Sequence, residues 1–205
     1  MRLIEKLSTE TAFFHAVADA EVMRLMATPT RDEYRRFLRG MIGFVGPVER
    51  AIAATPGIER HLDPQPFAKE DRLWNDLSVL GESAEAIAAL PRCTVPYLST
   101  IEDALGWAYV VERSTFGHHN LHHFLETVMP AEMTSASSYL RCYFGTSGEQ
   151  WRQFVIGLEK VEARNWQRVI DAAKTAFRAQ RSWRNSTRTI APMRPAEEKV
   201  ALLAK

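Results

Sequence analysis

Apolar positions recur along this chain at helical spacing, and nowhere do they alternate as a half-buried strand requires. The first stripe, Leu3, Leu7, Phe14, Val17, Val22 and Leu25, predicts a helix over 3–26 that the Ala27-Thr28-Pro29 break ends. Thr30 and Glu33 stand at capping-box spacing. They open a second helix through Tyr34, Phe37, Leu38, Met41 and Val45 to about Ala54, which carries Pro47 and has glycines at 40, 43 and 46 that suit a close helix neighbour. After turns at Thr55-Pro56-Gly57 and Asp63-Pro64, a stripe of Leu73, Trp74, Leu77 and Leu80 predicts a short helix from about Lys69. Ser99 and Glu102 form a second capping box, whose helix takes in the apolar run Ala104 to Val111 and continues to Pro130. A shorter helix then ends near Phe144-Gly145. Thr146 and Glu149 form a third box, opening the longest helix, with Trp151, Phe154, Leu158, Val161, Val169, Ile170 and Phe177 on its buried side and its end near Trp183. The pattern is that of an all-α helical bundle, a single domain over 1–183. Residues 184–205 read as a C-terminal tail, partly disordered or carrying a short helix from Pro195 to Lys205.

A chain of 205 residues suits one well-buried core. Its 46% hydrophobic and 25% charged residues exclude a largely disordered protein. With 26 basic against 25 acidic residues the formal charge is +1, which offers no electrostatic case for nucleic acid or an anionic membrane as partner. Cys93 and Cys142 lie far apart without Cys-x-x-Cys spacing, against a disulfide framework or a structural zinc site. The N-terminus shows no apolar signal core, and no apolar run is long enough to span a bilayer, so the expectation is a cytoplasmic protein.

Candidate chemistry concentrates between Gly106 and His123, which holds four of the six histidines. Gly117, inside a helical pattern, suggests a close approach to the backbone. His118/His122 and His119/His123 are i, i+4 pairs able in principle to chelate a metal, but no Glu-x-x-His occurs anywhere, and a polar, partly exposed face is the simpler expectation. His-Glu-x-x-His, P-loop, Gly-x-Gly-x-x-Gly and Gly-x-Ser-x-Gly motifs are absent too. His15 lies in the middle of the first helix. Arg152 follows Trp151 at the edge of a buried stripe, where a planar guanidinium suits a carboxylate ligand. The arginines at 178, 181, 184 and 188 read as solvated surface.

Three segments in order, over about Leu7 to Trp183, resemble the haem oxygenase family. Thr11-Ala12-Phe13-Phe14-His15 resembles its N-terminal Thr-x-x-x-His. The run from Ala104 to Gly117 resembles the bacterial branch's distal helix, Ala-Leu-Gly-x-x-Tyr-Val-x-Glu-Gly-Ser-Thr-x-Gly-Gly. Tyr143-Phe144-Gly145, Trp151-Arg152-x-Phe154 and Val169 to Phe177 resemble its C-terminal helices. The resemblance implies haem held between a proximal and a distal helix as both cofactor and substrate, cleaved with O2 and electrons from a reductase or ferredoxin-type donor to biliverdin, carbon monoxide and ferrous iron. It implies His15 as the iron ligand, Gly117 as a distal glycine over the haem face, and Arg152 as a propionate partner, while Ser114 and Thr115 are placed to anchor water. Arg113 and His118 stand where the family has glycines, and both add bulk. Catalytic expectations therefore fall on Arg113, Ser114 and Gly117, and haem-binding ones on His15, Arg113, Gly117, His118 and Arg152. The alternatives are a haem-binding or regulatory protein that has lost turnover, with His118 or His119 as a second axial ligand, and a member of the wider helical superfamily using non-haem iron or no metal.

Overall fold

The axis of the molecule is α5 (Ile101–Ser114), on which every residue from Ala104 to Glu112 is buried. A helix buried all round needs neighbours all round. The computed structural model describes residues 2–63 and 69–189, apart from the side chains at 16–18, 21 and 187–189. Among these residues the other helices are α1 (Leu3–Ala27), α2 (Arg31–Ala53), α3 (Glu70–Val79), α4 (Ala84–Ala88), α6 (His118–Val128), α7 (Pro130–Ser135), α8 (Ser147–Glu159) and α9 (Trp166–Thr189), with no strand. The all-α fold class is as expected. The proposed helix at Pro195 to Lys205 lies outside the described residues.

α9 packs along one side of α5 and α2 along another, while α1 lies against α9. The α5–α9 approach is close because of Gly106: a Cβ there would sit 2.5 Å from the Val169 carbonyl oxygen and 2.7 Å from the Ala173 nitrogen. Backbone atoms cannot swing aside, so Gly106→Ala is expected to cost about 1–3 kcal/mol, read as a lower thermal midpoint. On the α2 side Trp107 stacks with Phe44 at 6.4 Å. Near the C-terminal end of α9, Trp183 occupies the space a Cβ on Gly43 would need and donates its indole N–H to the Gly40 carbonyl at 2.9 Å. Gly43 thus makes room for a neighbour's ring and Gly46 for the Glu70 carboxylate, and the helix runs through Pro47 without ending.

Several boundaries differ from the periodic reading, each for a local reason. The Thr30 cap is present, its hydroxyl accepting the Glu33 N–H at 3.2 Å. The next cap falls one residue later than expected, at Thr100, whose hydroxyl accepts the Asp103 N–H at 3.3 Å. Thr146 precedes α8 but makes no side-chain cap. The expected longest helix is two: the chain leaves α8 at Lys160, passes through Glu162 in an extended conformation and re-enters as α9, with the Trp166 indole N–H donated to the Val161 carbonyl at 3.1 Å. α9 continues past Trp183 to Thr189. α7 ends at Ser135 rather than near Gly145, and the residues between are turns.

The helix expected to run unbroken from Ser99 to Pro130 tightens at Thr115–Gly117 into a 3₁₀ turn separating α5 from α6. The Ser114 hydroxyl donates to the Val111 carbonyl at 2.6 Å and the Thr115 hydroxyl to Glu112 at 2.8 Å. Such bonds compete for the helix's own acceptors and bend it.

Candidate functional site

The tightened turn and the N-terminal helix face each other across a cleft. His15, Asp19 and Val22 of α1 form one wall, and Val110, Arg113 and Ser114 of α5 with His118 of α6 form the other. Phe37 and Met41 of α2 and Phe177, Gln180 and Arg184 of α9 complete it. The cleft is narrow, with a cavity volume of about 30 Å³.

His15 is half-buried, and its Nε2 lies 2.9 Å from the Thr11 hydroxyl oxygen and 3.2 Å from that of Tyr109. Its ring packs on Phe177 at 5.5 Å. Burial lowers its pKa, and the Arg113 guanidinium lowers it further, so the neutral imidazole is favoured. Neutral imidazole is the form that ligates metals. Arg113, which replaces a small residue of the family pattern, does line the cleft, with its guanidinium over Phe116 at 5.3 Å from the ring centre.

His118 is buried. Its Nδ1 lies 3.8 Å from Cys142 Sγ and its ring 4.6 Å from that of Tyr139, and burial pushes its pKa down to about 3. The folded-state value lies below the unfolded one. Between about pH 3 and 6.5 the unfolded chain therefore takes a proton that the fold refuses, and stability rises with pH at about 1.4 kcal/mol per unit. In denaturant titrations of the ligand-free protein, His118→Leu is expected to shrink the stability difference between pH 7 and pH 5 by about 2 kcal/mol.

The histidine face is thus only half as expected: His119 and His123 are exposed, whereas His118 and His122 are buried, His122 Nε2 lying 3.3 Å from the Ser137 hydroxyl. Shared helical spacing identifies a common face but not which way it points. Among the described residues no three His, Cys, Asp or Glu side chains are grouped to hold a metal ion.

Two expected site residues lie off the cleft. Arg152 is exposed on α8 and donates to Glu149 at 2.5 Å, whereas Arg184, from a run read as solvated surface, lines the cleft. Gly117 ends the 3₁₀ turn, and a Cβ there would meet no atom of this chain within 4 Å. The close approach between parts of the chain occurs at Gly106 instead. Sequence reasoning also missed Tyr109 and Thr11 as partners of His15, although the i, i+4 spacing of Thr11 and His15 was a usable signal.

Around Glu112 of α5 lies a buried ionic cluster with no sequence signature. The Lys69 ammonium, 1% exposed, is 2.6 Å from Glu112 Oε1 and 3.9 Å from Glu49 Oε1, and the Tyr143 hydroxyl donates to Glu112 Oε2 at 2.9 Å. Glu49 also accepts the backbone N–H groups of Lys69 and Glu70 at the start of α3. Burial nonetheless raises its pKa to about 7.

A family model described as Heme oxygenase matches residues 1–186. The chain belongs to the haem oxygenase family. Its fold is similar to that of the heme oxygenase from Neisseria meningitidis studied in NO- and CO-bound forms, with a TM-score of 0.77 at 21% identity over 95% of this chain and 96% of that one. No curated protein matches the chain. Haem oxygenases bind haem as substrate, and the cleft suits it in kind. It offers a neutral imidazole, aromatic and aliphatic walls and two guanidiniums, the donor set for an apolar macrocycle with an iron centre and two carboxylates. Among the described residues no helix is long and apolar enough to cross a membrane.

Proposed function

We propose that this haem oxygenase family member cleaves haem oxidatively to biliverdin, releasing carbon monoxide and ferrous iron with O2 and electrons from a reductase or ferredoxin-type donor. The observation that carries the reading is the placement of His15 across the cleft from Arg113 and Ser114, with Arg113 and Arg184 contributing positive charge. Haem supplies both the iron at which O2 is reduced and the macrocycle that is opened.

This chain's residues then have distinct tasks. His15, kept neutral by burial and by Arg113, would hold the iron of bound haem. Arg184 and Arg113 would pair with the propionates; the planar fork of each guanidinium matches a carboxylate. The Phe116 ring supports the Arg113 guanidinium at the cleft. Ser114 has committed its proton to Val111 and remains an acceptor for a distal water.

Haem titration tests this reading. One haem per chain with a Soret band typical of a single axial imidazole supports it, and the absence of a saturable Soret change contradicts it. A second reading, haem binding without turnover, draws on His118, a neutral imidazole on the same cleft. It requires a six-coordinate spectrum that His118→Ala converts to five-coordinate.

A further inference from the structure

A second cavity opens beside the buried ionic cluster. Its volume is about 240 Å³, and Ile52, Ile58, Leu62, Ala108 and Val111 give it an apolar wall. It shares no lining residue with the cleft. On α5 the cavity takes Ala108, Val111 and Glu112, whereas the cleft takes Val110, Arg113 and Ser114. Both sets have i, i+3, i+4 spacing and they are offset by two residues, about 200° around the helix, so the two spaces lie on different faces of α5.

Charge distinguishes this cavity. Glu49 and Glu112 both line it, with only 13% and 3% of their side chains exposed. Glu112 has close partners of its own, the Lys69 ammonium at 2.6 Å and the Tyr143 hydroxyl at 2.9 Å. Glu49 lies 3.9 Å from that same ammonium, and its close donors are the Lys69 and Glu70 backbone N–H groups at 3.0 and 3.1 Å. These orient the carboxylate without cancelling its charge. Arg50, which also lines the cavity, is paired with Glu70. When ionised, the cluster therefore sets two carboxylates against one ammonium, and the excess charge falls on Glu49 beside an apolar wall.

We propose that this cavity binds a small organic cation, with an apolar body of one ring or its equivalent against the Ile58, Leu62, Ala108 and Val111 wall and a single protonated nitrogen donating to the Glu49 carboxylate. Size supports this: an apolar cavity of about 150 Å³ takes benzene, so about 240 Å³ takes a ring with a short arm. A cation supplies the charge that the cluster lacks. An anion meets Glu49, Glu112 and Asp71 of its own sign, and a neutral molecule gains the wall alone. The site is independent of haem binding.

Its affinity depends on pH through Glu49, whose pKa burial raises to about 7. The groups around that carboxylate are Arg50 on its own helix, Lys69, Glu70 and Asp71 at the start of α3, and Glu112 of α5 with Tyr143 behind it. Protonated Glu49 offers no charge to pair, so an amine that stays protonated binds more tightly as pH rises through 7.

Benzylamine titrated into the ligand-free full chain, followed by calorimetry, tests the proposal, with benzyl alcohol as its neutral counterpart. One benzylamine per chain is expected, bound about tenfold more tightly than benzyl alcohol and with an affinity that rises about tenfold from about pH 6 to pH 8. Glu49→Gln keeps an acceptor for the α3 backbone and should bind both compounds equally, without the pH dependence. Ala53→Phe, at the exposed edge of the cavity, should bind neither. No saturable benzylamine binding by the wild-type chain overturns the proposal. So does equal wild-type affinity for the two compounds, or a benzylamine affinity that either folded variant leaves unchanged.

Discussion

Lys69→Met is expected to destabilise the protein by about 3–5 kcal/mol, lowering Tm by roughly 6–20 °C. The reason is the company Lys69 keeps. Its ammonium lies 2.6 Å from Glu112 and 3.9 Å from Glu49, with both Lys69 and Glu112 side chains essentially inaccessible. Without it, two carboxylates share a dry site whose remaining donors are the Tyr143 hydroxyl and the α3 backbone. The intact pair is not itself a large source of stability, because desolvating both ions offsets most of their attraction. The double variant Lys69→Met/Glu112→Leu should therefore recover most of the loss. Chemical denaturation checks both, and a single variant within about 1 kcal/mol of wild type would show that the pair is not buried as described. The cluster also bears on the cleft, since Glu112 directly precedes Arg113 on α5 and ties the end of that helix to α3.

The second large effect belongs to ligand binding. His15→Ala is expected to weaken haem binding by about 100-fold, equivalent to about 2.7 kcal/mol, and to abolish the imidazole-type Soret spectrum. Added imidazole should restore the spectrum, because the cleft walls remain. The ligand-free variant should lose only about 1 kcal/mol, the worth of the contacts to Thr11 and Tyr109. Equal haem affinity in wild type and variant, with an unchanged spectrum, would place the iron elsewhere.

Much of the architecture was legible in the order of apolar residues. The stripe on α2, the helix through the apolar run Ala104 to Val111, and the Thr30 cap follow from short-range chemistry, and the structure bears them out. The breaks were harder. At Thr115–Gly117 the signal was present, two adjacent hydroxyl side chains that bond back to carbonyls, but periodicity alone reads through it. At Lys160 to Asn165 there is neither proline nor glycine, and only the missing apolar step between Val161 and Trp166 marks the turn. Burial of His118 and His122 was not legible, because which side of α6 meets Tyr139 and Ser137 depends on where the bend aims it. The same holds for Arg184: a basic run looks solvated until α9 is known to continue beside α2 and the cleft. Lys69, Glu49 and Glu112 come from three separate helical segments, and only tertiary packing makes them one group.

The central claim is that the cleft between α1 and α5 opens the macrocycle rather than merely holding it. Its most direct test is a single turnover: one equivalent of haem loaded on the full chain, reduced in air, with the spectrum and the headspace gas followed together. The account predicts loss of the Soret band, growth of a broad red bile-pigment absorption and release of one carbon monoxide per haem. A Soret band that persists unchanged through reduction in air, with no carbon monoxide released, would contradict it.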